Sequence, residues 1–109
     1  MTTKRIKRAR TSDYKGFLAK QLTNPKLAAG YLTESFLAGE EVFLLAIKDV
    51  VEARGGISAL AKLTALNREG LYDMLSANGN PRLTSLAKVL DALGMTIAIS
   101  PRNERKKAA

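Results

Sequence analysis

The residues of this chain best equipped for chemistry gather in one run, "NREGLYDMLS", residues 67–76. Projected at about 100° per residue, Leu71, Met74 and Leu75 fall on one side of a helix. Glu69, Asp73 and Ser76 point to the other side, with Arg68 and Tyr72 flanking them. That outer set carries the groups that read base edges. A guanidinium pairs with guanine, a carboxylate accepts from the amino group of cytosine, and a hydroxyl serves in either direction. A helix start that is exposed, polar and long-armed is what enters a DNA major groove. Arg68, Glu69, Tyr72, Asp73 and Ser76 are therefore the expected base contacts. Two features of the run oppose helix formation: Gly70 by about 1 kcal/mol against alanine, and the like charges of Glu69 and Asp73 by roughly a few tenths. A face kept for bases accounts for both, Gly70 allowing close approach to phosphate or to a neighbouring helix. The competing reading is an amphipathic helix whose charged side is simply solvated. Tyr72 divides in the same way, between a thymine methyl and the edge of the core. Acids facing DNA repel phosphate, so Lys62, Arg82 or the chain ends must supply attraction.

Holding such a helix requires a partner helix, a tight turn and apolar anchors, and residues 57–75 supply them as a helix-turn-helix. Ala61 is the small residue at the crossing, Ala65 lies in the turn, Leu66 points inward, and Leu71 and Met74 pin the second helix. A glycine is usual where Ala65 stands, because left-handed backbone costs other residues about 1–2 kcal/mol. A plain helical bundle is the alternative architecture.

The rest of the chain also reads as helix. Asp13 is placed to cap a first helix carrying Tyr14, Phe17, Leu18 and Leu22. Asn24 and Pro25 open a second, with Leu27, Ala28, Tyr31, Leu32 and Phe36 as its stripe and Gly39 as its end. Residues 40–54 form a third, broadly apolar helix at the centre of the core, with Glu40, Glu41 and Arg54 arranged as its macrodipole favours. Gly55 and Gly56 then open the compact unit, in which Ser58 caps a helix to about Thr64 and Asn67 caps the helix over 67–77. Gly79 suits a left-handed stop, and Pro81 bars continuation. A last helix runs from Leu83 to Gly94. Only "MTIAIS", residues 95–100, alternates as a strand would. Thr96, Ile97, Ala98 and Ile99 are expected to pair with a second copy as a ribbon, making a homodimer; pairing within one chain is the alternative. The expected fold class is all-α, with five to six helices and one short C-terminal strand.

At 109 residues the chain suits one domain, divided into a basic arm (1–12), N-terminal helices (13–54), the helix-turn-helix with its strand (55–100) and a basic tail (101–109). It contains no cysteine and no histidine. Thiolate chemistry is excluded, and the commonest general base and zinc ligand are missing. No catalytic residue, metal site or cofactor is assigned, and an enzyme is not expected. The basic start lacks an apolar run behind it and no stretch suits a membrane span, so a soluble cytoplasmic protein without membrane contact is expected. The net charge of +8 belongs entirely to the ends: residues 1–10 carry +5, residues 101–109 carry +3, and residues 11–100 balance nine bases against nine acids. The ends either sit on phosphates and add salt-sensitive attraction or serve solubility alone. Of the nine acids, Asp13, Glu34, Glu40, Glu41, Asp49 and Glu52 precede the helix-turn-helix. They either face a cationic partner or are an ordinary solvated set.

Residues 55–95, together with "NPKLAAGYL" at 24–32 and "LYDMLSANGNPRLTSLAKVL" at 71–90, resemble the antitoxins of HigA-like addiction modules with an Xre/Cro-type helix-turn-helix. The resemblance spans roughly residues 14–99. It departs at Ala65, at Asn67 where a serine is common, and at the basic first ten residues. It implies a homodimer on a palindromic operator and a partner toxin of the RelE/ParE-like class, a basic ribonuclease. It also implies autorepression of the operon by antitoxin and toxin together. Carried onto this sequence, Arg68, Glu69, Tyr72 and Asp73 would meet base edges, and Lys62, Asn67 and Arg82 would meet phosphates. Alternatives are a stand-alone Xre-type repressor with no toxin, and a helical protein-interaction module that does not bind DNA.

Overall fold

A computed structural model describes residues 14–102. The basic arm, Asp13 and the tail beyond Arg102 lie outside the described residues. Residues 14–22 are helical (α1), followed by α2 (Pro25–Ala38), α3 (Glu40–Ala53), α4 (Gly56–Thr64), α5 (Arg68–Met74) and α6 (Leu83–Ala92). The all-helical expectation holds among these residues.

Local chemistry sets the helix boundaries. The Asn24 side chain accepts from the backbone N–H groups of Lys26 (2.9 Å) and Leu27 (3.2 Å), with Pro25 behind it at the first helical position. Gly39, at φ 144°, closes α2 by donating to the carbonyls of Ser35 and Phe36. Gly55 and Gly56 both have positive φ, so α4 starts two residues before Ser58, with no side-chain cap. Ser58 is therefore an exposed residue inside the helix rather than its cap. At the far end of α6, Gly94 adopts φ 77°; its N–H reaches Asp91 O (2.9 Å) and the next N–H, of Met95, reaches Leu90 O (2.8 Å). This is the paired closure that satisfies two orphan carbonyls at a helix end.

One core joins all six helices. Leu22 of α1, Ala28 and Leu32 of α2, Ile47, Val50 and Val51 of α3, Leu60 of α4, Leu71 of α5 and Val89 of α6 are all buried in it. Helix α2 packs along α3, α3 on α4, and α4 on both α5 and α6. Helix α3 is less enclosed than its composition suggests. Its stripe of Leu44, Ala46, Ile47, Val50 and Val51 is buried, whereas Val42 and Leu45 remain 44% and 59% exposed. Its neighbours α2 and α4 cover only part of its circumference.

The turn between α4 and α5 is fixed by two residues. Ala65 is left-handed at φ 63°, the one non-glycine with positive φ among the described residues, and its N–H donates to Ala61 O (3.0 Å). Thr64 is buried; its hydroxyl donates to Leu60 O (2.8 Å) and accepts from Leu66 N (3.2 Å). A buried hydroxyl used in both directions leaves the turn without an orphaned polar group. The N-terminal and C-terminal helices are further tied by Arg54, the residue that ends α3. Its Nε donates to Leu22 O (3.2 Å) at the end of α1, and its Nη1 to Leu93 O (2.9 Å) at the end of α6. The sequence places Arg54 at the dipole of its own helix; instead it serves the carbonyl ends of two others. Its Nη2 is buried without a partner.

The expected strand is absent. Residues 95–100 carry no strand, and Thr96, Ile97, Ala98 and Ile99 are exposed, Ile99 by 95%. Alternation alone does not make a strand: the backbone needs a ladder partner, and no second extended segment pairs with this one among the described residues.

Two outcomes test the framework. Ala65→Gly should stabilise the protein by about 1 kcal/mol in urea unfolding, because it relieves a left-handed non-glycine; a loss of stability would mean that the alanine methyl packs usefully. Arg54→Ala should cost about 2–3 kcal/mol, since charge-assisted bonds to two helix ends disappear. A cost under about 0.5 kcal/mol would show that water satisfies both carbonyls equally well.

Candidate nucleic-acid interface

Helix α5 has seven residues and starts from a side-chain cap: Asn67 Oδ1 accepts from Gly70 N at 2.6 Å. This gives Gly70 a local reason to exist. A Cβ there would stand 3.0 Å from Asn67 Oδ1, a tight contact that the capping side chain would have to relieve by shifting a few tenths of an ångström. Glu69 in the first turn faces the positive end of the helix dipole, which offsets part of its repulsion with Asp73.

The orientation of α5 follows the apolar pattern. Leu71 is fully buried, Leu75 and Met74 nearly so. Arg68, Glu69, Asp73 and Ser76 are exposed on the opposite side. Tyr72 is 49% exposed and lies outside the core, so its ring faces outward with the charged set. The helix ends at Met74, three residues short of the expected 77. Ser76 therefore sits in the following bend, where its Oγ donates to Asp73 O (2.8 Å), leaving the hydroxyl oxygen free only to accept. Gly79 is not left-handed either. It is glycine because a Cβ would run into the carbonyl oxygen of Met74, as the chain folds back over the end of α5.

Behind this turn, a shallow groove of about 400 Å³ separates α5 from the start of α6. Gly70 and Asp73 line one side; Asn78, Asn80, Arg82 and Ser85 line the other. The structure thus brings Asp73 and Arg82 to one concavity. Arg82 precedes α6 with its side chain exposed and uncommitted to capping. Lys62 is exposed on α4, and Asn67 is exposed at the tip of the turn. Arg68, Glu69, Tyr72 and Lys62 do not line the groove. The surface offers a guanidinium, two carboxylates, a phenol and flanking cations, with no group of three metal-ligating side chains among the described residues.

Two residues central to this geometry have bonding roles not assigned to them from sequence. Thr64 carried a visible signal, a threonine in the last turn of a helix directly before the turn. Arg54 carried none, because its partners are 32 and 39 residues away.

No helix of the described residues is long and apolar enough to cross a membrane. Residues 11–101 match the family described as "Probable addiction module antidote protein". A Haemophilus influenzae protein described as uncharacterized is 34% identical over 91 residues, covering 82% of this chain and 93% of that protein. No solved structure matches the chain. With 91 consecutive residues matched, this chain belongs to the family of probable addiction module antidote proteins, the antitoxin halves of toxin–antitoxin pairs.

Proposed function

We propose that this antitoxin also binds DNA in a sequence-specific way, using the exposed side of α5 as a recognition helix in a major groove, and that it represses its own operon as a homodimer. The observation that carries this reading is the burial of Leu71, Met74 and Leu75 behind an outward set of Arg68, Glu69, Tyr72 and Asp73. In this reading α4 and α5, joined by the left-handed Ala65, serve as the two helices of an Xre/Cro-type helix-turn-helix. The toxin is then of the RelE/ParE-like class, and this protein has no enzymatic role of its own.

Electrostatics divide the labour on this surface. The exposed side of α5 holds one base and two acids, so by itself it repels a duplex. Arg68 reads guanine, and Glu69 or Asp73 reads the cytosine amino group while discouraging other bases. Attraction must come from Lys62, Arg82 and the basic residues at the chain ends, through phosphates that carry no sequence information. Recognition and affinity therefore reside in different residues. Gly70 fits both its cap and a close phosphate, and the two roles do not conflict.

Footprinting and gel retardation on the operon's own promoter test this. Arg68→Ala should weaken operator binding by about 1–3 kcal/mol and relax the preference at one base pair. Glu69→Gln should instead tighten binding to unrelated DNA while lowering the preference for the operator. Removing residues 1–10 should weaken binding to all sequences alike and flatten its dependence on salt. A wild-type protein that discriminates no better than tenfold between operator and random duplex would leave a module that acts through protein contacts alone.

A further inference from the structure

We propose that the toxin docks on the side of the α2–α3 pair marked by Leu27, Glu34, Val42, Leu45 and Glu52, through an apolar segment flanked by basic residues. The inference rests on the antitoxin reading and adds the surface and the chemistry of its partner. Which sides of α2 and α3 meet is fixed by a hydrogen bond from the Tyr31 hydroxyl to Asp49 Oδ2 at 2.6 Å. Burial and that bond hold the phenol in its protonated, donating form. Leu27 and Glu34 lie one helical turn to either side of Tyr31, and Leu45 and Glu52 lie one turn to either side of Asp49. Val42 continues the row on α3.

Leu27, Val42 and Leu45 are about half exposed, although each stands on a helix whose other side lies in the core. Large apolar side chains left open on the same two helices as exposed Glu34 and Glu52 have the composition of a binding face, and Leu27 and Glu34 also line a groove against Tyr14 and Phe17 of α1. Charge selects the occupant. Residues 27–53 hold five acids, Glu34, Glu40, Glu41, Asp49 and Glu52, against the single base Lys48, within a chain of net charge +8. This stretch is thus −4 where the whole is strongly positive. It repels DNA and suits cationic segments; the basic ends of a second copy, which would make the face a contact between copies, are the competing occupant. A partner protein with cationic residues around an apolar contact is the complementary solution. Helix α2 packs on α3, α3 on α4 and α4 on α5, so α4 stands between this face and the reading helix. Toxin and operator can then be held at once, which joint repression requires.

The test uses the full-length protein and the product of the toxin-sized reading frame beside its gene, co-expressed and co-purified. Leu45→Arg and, separately, the double change Glu34→Lys with Glu52→Lys should weaken toxin capture about tenfold or more and restore growth arrest. Operator retardation and the helical circular dichroism spectrum should be unchanged, since all three side chains are exposed. Arg68→Ala should show the converse pattern, with toxin binding intact. Capture within about twofold of wild type for both variants would overturn the assignment of this face. Loss of a sedimenting dimer with toxin capture retained would also overturn it, making the face a contact between copies. If wild-type protein captures no toxin, the antitoxin reading itself fails, and the inference fails with it.

Discussion

A seven-residue helix does not hold itself in water, and the placement of α5 depends on that fact. Nucleating a helical turn is unfavourable by about 4 kcal/mol, from a nucleation constant of roughly 10⁻³. Each fully buried Leu or Met contributes about 1.5–3 kcal/mol. Burying Leu71, Met74 and Leu75 is therefore enough to fix α5, whereas its own propensity, lowered by Gly70, is not. Because these three residues face inward, Arg68, Glu69, Tyr72 and Asp73 have no choice but to face out. The candidate reading surface is a consequence of core packing rather than of the polar residues themselves.

The platform behind α5 is α4, which touches α3, α5 and α6. Its two ends are shaped by unusual backbone: Gly55 and Gly56 at the start and left-handed Ala65 at the finish. Thr64 then satisfies the polar groups that such a sharp exit would otherwise strand. Arg54 links this unit to the N-terminal helices by closing the ends of α1 and α6 with one planar group. A lysine has a single ammonium and could not reach two carbonyls in the same fixed geometry. That link makes the two halves of the chain one body around one core.

Charge is distributed unevenly along the chain. The chain ends are strongly basic, the α5 surface is mixed, and the α2–α3 stretch is acidic. Net charge alone would describe a generic polyanion binder. Its distribution describes a protein with one region that tolerates phosphate and another that excludes it, which suits the partner that an antidote protein must have.

Sequence alone determined what local rules determine. Asn24 before Pro25 opens α2, Asn67 caps α5, Gly94 stops α6, and the spacing of Leu71 from Met74 and Leu75 decides which side of α5 is inside. Each of these depends on neighbours within about four residues along the chain, so each was legible. Tertiary structure decided whatever depends on a distant partner. Residues 95–100 alternate like a strand, yet no second extended segment among the described residues pairs with them. Arg54 looks like a dipole residue until two distant carbonyls claim it. Gly79 looks like a left-handed stop, but close approach to the Met74 carbonyl is what requires it. Val42 and Leu45 look like core and stand half in solvent, because the number of helices available to cover α3 is not written in α3. Periodicity reports which way a side chain points, and only the assembled fold reports what, if anything, is there to meet it.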